Sequence, residues 1–205
     1  MAIILDQHWQ RELWDSVYRL RFELCHGGSY VNMFTRAYDR ARHLARAALP
    51  SERVIAVIAA YPNPSCESGA RRRGWSGRNA YDVLQKIGVP TVPYEASWRG
   101  YTQPHAEEDL EAIPWEHRAV SLSWDQADIL LWSNIAHDIG VMPQAPVLSQ
   151  LVDVERGVTV HAYDDRGMDI TALNPDPIVQ LYTQFNAWLL DYDRPRMSYA
   201  FEAKA

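Results

Sequence analysis

Two cysteines, Cys25 and Cys66, are the only thiols in 205 residues, and no short metal-type spacing separates them. That scarcity excludes a disulfide-stapled scaffold and a zinc knuckle, and it fits a reducing compartment. Long apolar runs are missing too. Nowhere do about 18 apolar residues follow one another, the length a membrane-spanning helix needs. The stretch from Met1 to Asp6 is too short in apolar residues for a secretory signal, so a cytoplasmic location is expected. Basic charge is the minority, with 20 Lys and Arg against 26 Asp and Glu and a net charge of -6. A general nucleic-acid binder would carry the opposite field. No phosphate-cradling glycine loop occurs, and Gly74-Trp75-Ser76-Gly77 lacks the fifth-position glycine of a nucleophile elbow.

What is present suffices for a core without cross-links. Hydrophobic residues make up 47% and charged residues 22%, and a compact chain of this length buries roughly 70% of its unfolded surface. One domain over residues 1–205 is expected, with a loop-rich excursion at about 62–115. Eight tryptophans and eleven tyrosines are enough to anchor a core and an interface alike.

Periodicity orders the first half. Leu5, Trp9 and Leu13 recur at helical spacing. From Tyr18 to Cys25 the pattern alternates, with Leu20, Phe22 and Leu24 on one face and Arg19, Arg21 and Glu23 on the other, as in a half-buried strand that Gly27 and Gly28 end. Residues 32–49 carry Phe34, Tyr38, Ala41, Ala45 and Ala48 on one helical stripe, stopped by Pro50. Val54 to Ala60 is a continuous apolar run suited to a strand buried on both faces. Strand, helix and strand in this order predict a crossover unit.

Residues 62–78 read as a loop, and Asn79 can cap a short helix through Lys86, closed by Gly88. Four prolines between Val89 and Pro114 predict mainly extended or irregular chain. Ala119 to Trp124 reads as a strand and Gln126 to Asp138 as a helix. Three short strands then follow: Leu151 to Val154, Val158 to Tyr163 and Met168 to Ala172. Their glycine-containing connections predict an antiparallel meander. A last helix, capped by Asp176, is expected to run without interruption until Pro195 terminates it. The fold class is therefore α+β: a mixed or antiparallel sheet with a C-terminal three-stranded meander, packed by helices.

The hairpin from Tyr163 to Gly167 and the helix ending in Trp188 to Arg194 resemble the signature of a bacterial family catalogued as domain of unknown function 3885. The strand Leu20 to Leu24 and the helix beginning near Phe34 are similar to that family's N-terminal portion. The middle, about 62–115, matches poorly. Cys25 stands where the family has a glycine, and the glycines are displaced to 27 and 28. The resemblance implies a bacterial source and one mixed domain, and it brings no catalytic set to carry over.

Each group that could carry chemistry has a plainer reading. Asp164, Asp165 and Arg166 could place two carboxylates at a site, yet Asp and Gly are what such a turn demands. Arg71, Arg72, Arg73, Trp75 and Arg78 could grip an anion or anchor a partner, or serve only to solvate a loop. Glu107, Glu108, Asp109 and Glu111 suit either a solvated face or an acidic surface for a basic partner. His137-Asp138 is the pair used by metal-dependent phosphohydrolases, with His105 and His117 upstream, but a histidine at a helix C-terminus is explained by the dipole. Cys25 and His26 are strand neighbours and face apart.

The expected function is a non-catalytic protein-binding domain, an immunity-type antidote to a basic partner such as a bacterial toxin. No cofactor, metal or membrane is expected. The alternative is a metal-dependent hydrolase using carboxylates with His105, His117 or His137.

Overall fold

The computed structural model describes residues 5–60, 80–102 and 114–202. Within them the chain runs α1 (Gln7–Asp15), β1 (Arg19–Glu23), α2 (Tyr30–Ala48), β2 (Arg53–Ala60), α3 (Ala80–Lys86), β3 (Ala96–Gly100), β4 (Trp115–Ser123), α4 (Trp124–Ile139), β5 (Val147–Asp153), β6 (Val158–Ala162), β7 (Gly167–Ala172), α5 (Val179–Gln184) and α6 (Arg194–Phe201). The strands form one sheet in the order β1-β7-β6-β5-β2-β4-β3, and every pairing is antiparallel.

Those pairings make β1 and β2 run in the same direction, since three strands lie between them. The expected strand–helix–strand crossover is therefore present, with the meander β5-β6-β7 filling the gap it spans. A second crossover, β4-α4-β5, straddles β2 in the same way.

Alternation gives the sheet two unlike faces. Leu20, Phe22, Ala56, Ile58, Val120, Leu122, Val160 and Ile170 point to the face covered by α2 and α4, where they join Ala41, Leu44, Leu130 and Ile135 in the main core. On the other face α1 lays Trp9 and Leu13 on Val57 and Val152, a smaller second core. Local chemistry fixes the helix ends. Asp6 accepts from the Trp9 amide at 3.0 Å, and Ser123 with Gln126 forms a reciprocal capping box on α4. Gly140 closes α4 in the left-handed conformation at φ 67°.

Three expectations are corrected. The region after Val89 holds a regular strand, β3, which the prolines obscured. Among the described residues it pairs only with β4 and lies at the sheet edge, so a single large apolar residue, Trp98, suffices and the run is too polar to announce itself. The strand read from Ala119 begins at Trp115, and Trp124 belongs to the helix after it.

The largest correction is the last helix. Asp176 does not cap it; α5 starts at Val179 and ends at Gln184, and 3-10 turns at Asn186–Trp188 and Asp191–Asp193 lead to α6. The reason lies on β1, whose outer edge would otherwise be bare. Leu189 bridges Phe22, and the Leu190 amide donates to the Arg21 carbonyl oxygen at 2.8 Å. An unbroken helix would leave that carbonyl without a partner. Pro195 then begins a helix rather than ending one, because the first turn needs no amide from it.

Candidate functional site

The face under α1 is apolar only in part. Beyond Val57 and Val152, the residues facing α1 from the outer strands are polar. Arg19 pairs in register with Thr171, and Thr171 with Thr159; Arg21 pairs with Asp169, and Asp169 with His161. Directly opposed residues share a face about 5 Å apart, so the ladder stacks two polar rows across β1, β7 and β6. Between these rows and α1 lies a pocket of about 70 Å³, closed on the helix side by Gln7, Gln10 and Trp14 and reaching Gln150 on β5.

Its electrostatics are uneven. Arg21 donates from Nε to Asp169 at 3.0 Å and from Nη1 to Asp193 at 2.9 Å. Burial works against the Arg21 cation, but the two carboxylates outweigh it and raise its pKa. Burial holds the Asp169 carboxyl above the ordinary aspartate range despite the pull of Arg21 and Arg19. Arg19 donates from Nη2 to the Trp14 carbonyl oxygen and lies over the Trp14 ring at 5.1 Å. Its Nε is buried and has no partner among the described residues, and burial lowers its pKa. His161 is hemmed in by protein yet keeps some surface toward the pocket. Burial first, then Arg19, pushes it down to about 4, so it is a neutral imidazole near neutral pH.

A second concavity, of about 450 Å³, lies on the far side of the sheet between α2 and the end of α4. Phe34 and Tyr38 stand against Trp132, with ring centroids 4.3 and 5.4 Å away. Val141 and Val31 complete the apolar lining, and Asp39 and Arg42 form a charged border. Tyr30 is 73% exposed and Val31 70%, unusual for large apolar side chains beside one another.

Among the described residues, those singled out by sequence do not converge. Arg71, Arg72, Arg73, Trp75 and Arg78, with Glu107, Glu108, Asp109 and Glu111, lie outside the described residues, as do His105, Ser76 and Cys66. At the β6–β7 hairpin, Asp164 accepts from the Arg166 and Gly167 amides at 2.8 and 2.9 Å and pairs with the Arg166 guanidinium. That is turn chemistry. Asp165 is buried, and burial, then Asp164, raises its pKa.

His117 is 1% exposed, stacked on Trp98 at 5.2 Å, with Nδ1 3.2 Å from the Trp115 carbonyl oxygen. It faces the α1 side of the sheet, whereas His137 rides on α4 across the sheet. Among the described residues no three His, Cys, Asp or Glu gather as a metal would require. Cys25 is a buried free thiol, and His26 turns outward to Glu23 at 2.7 Å.

Sequence reasoning missed the polar rows of Arg19, Arg21, Thr159, His161, Asp169 and Thr171. The alternation in β1, β6 and β7 carried a signal, but polar residues opposite an apolar face read as solvent-facing until the register and α1 are in place.

A family model described as domain of unknown function (DUF3885) matches residues 7–193. The chain belongs to that family. No curated protein and no solved structure matches it.

Proposed function

We propose that the chain is a non-catalytic protein-binding domain working in the bacterial cytoplasm, an immunity-type antidote that covers a basic toxin. The observation that carries this reading is the apolar surface at the start of α2, where Tyr30 and Val31 stand beside a groove floored by Phe34, Tyr38 and Trp132. Aromatic residues in a concavity with a charged rim are the usual anchors of a protein interface. The net charge of -6 favours a basic partner and would speed its approach. The basic run at Arg71 to Arg78 and the acidic run at Glu107 to Glu111 would add charged contacts to such an interface.

The hydrolase alternative finds less support, because His117 is sealed under Trp98 and His137 lies across the sheet from it. The test is capture from native cell extract by the wild-type chain and by a Tyr30→Glu, Val31→Glu variant. A stoichiometric basic protein held only by the wild type supports the reading, as does a toxin encoded by the neighbouring gene. Equal capture by both chains, or capture by neither, overturns it.

A further inference from the structure

We propose that the pocket beneath α1 is a binding site for a small monocarboxylate, seated on Arg19. This goes beyond the protein-binding reading and lies on the opposite face of the sheet, so either can fail alone.

Three observations lead to it. The first is the state of Arg19. Its guanidinium is half-withdrawn from water, one donor is taken by the Trp14 carbonyl oxygen, and Nε has neither solvent nor partner among the described residues. A buried donor left unmade is costly, and a cation more so, unless an anion completes it. A carboxylate that moves aside the atoms covering Nε meets that need, since its two oxygens match the guanidinium fork.

The second is the charge around the pocket. Arg19, Arg21 and Arg196 stand against Asp169 and Asp193, the groups that act on Arg19. Both carboxylates bond Arg21, and Arg11 also lines the pocket, which leaves positive charge in excess. A single negative charge is accommodated, and a dianion would meet Asp169.

The third is what lines the rest. Thr159, Thr171 and Gln150 face the pocket beside His161. A neutral imidazole and hydroxyls offer both donors and acceptors, suited to the uncharged part of a hydroxy- or oxo-acid. The volume of about 70 Å³ holds a handful of water molecules, which limits the occupant to a few heavy atoms and excludes nucleotides.

The experiment follows the Arg19 Nε–H signal by NMR in the full chain, titrated with sodium acetate, with sodium phosphate at pH 8, and with sodium chloride at matched ionic strength. The expected result is a saturable shift of the Arg19 signal with acetate alone. In Thr171→Val, which keeps the side-chain shape, apparent affinity falls roughly tenfold. In Arg19→Gln the saturable response of the Thr171 and His161 amides disappears. Shifts that follow chloride equally overturn the site. A saturable response to phosphate overturns its preference for a single charge. Acetate binding that persists in Arg19→Gln overturns the role of Arg19. Should Arg19→Gln not fold, the wild-type signal and Thr171→Val decide.

Discussion

Nη1 of Arg21 donates to Oδ2 of Asp193 at 2.9 Å, and this bond fastens the C-terminal turns to the first strand of the sheet. Its neighbours reinforce it: the Leu190 amide on the Arg21 carbonyl oxygen, and the Arg21 amide 3.3 Å from the Met197 sulfur. The C-terminal segment thus acts as a cover for an edge that β7 pairs on one side only.

Replacing Arg21 by Met tests that cover. It leaves Asp169 and Asp193, both mostly enclosed at 18% and 14% side-chain exposure, without their shared cation. A loss of about 2 kcal/mol is expected. Asp193→Asn, which keeps one acceptor and leaves the Asp169 pair intact, is expected to cost about 1 kcal/mol. Urea unfolding measures both, and a double-mutant cycle near zero would refute the coupling.

Stability should fall as pH drops below neutral. Burial pushes His117 down to about 4, against about 6.5 in the unfolded chain. Between those values the unfolded chain binds a proton that the folded chain refuses, so stability rises with pH at up to ~1.4 kcal/mol per unit. It is complete above the unfolded value. His161 adds a smaller share in the same direction, because its ring keeps surface toward the pocket. Asp165 and Asp169, whose pKa values are raised by burial, act in the opposite sense. His117→Gln isolates the effect. Its stability should depend on pH between 4 and 6.5 less steeply than that of the wild type, by close to one proton near the middle of that range.

The hairpin carboxylates should matter for folding. Asp164→Ala removes the acceptor for two turn amides, one of them buried, and for Arg166. A cost of about 2 kcal/mol is expected. Asp164→Asn keeps the oxygen that those amides use and should recover more than half of it. Equal losses from both would mean that charge, and not the turn bonds, holds the hairpin.

How far the sequence reveals this molecule depends on whether an element is specified by its own residues. The stripe of Phe34, Ala41, Ala45 and Ala48 identifies α2 unaided, and Gly157 and Gly167 punctuate the meander where the strands turn. By contrast, Leu189 lies on the apolar stripe of an ideal helix, and only the unpaired edge of β1 explains why the chain breaks to deliver it to Phe22. The same holds for the pocket. Arg19 lies far along the chain from His161 and Asp169, each is in a strand whose other face is apolar, and only the ladder register brings the three together. The groove beside Trp132 likewise needs α4 packed on α2 before Tyr30 and Val31 are seen as exposed beside it.

Those two residues give the most direct separation of binding from folding. Tyr30 and Val31 are the first two residues of α2, where a carboxylate interacts favourably with the helix dipole. Tyr30→Glu with Val31→Glu should therefore leave stability within about 0.5 kcal/mol of the wild type. In an interface, burying each native side chain contributes about 1.5–3 kcal/mol. Two charges in their place should weaken a partner seated there by roughly a hundredfold or more. Asp39→Ala, at the groove border, removes a rim charge and should change affinity less than tenfold while altering its salt dependence. Calorimetry with the captured partner measures all three chains. If the double variant binds like the wild type, the apolar start of α2 is not the surface the partner covers.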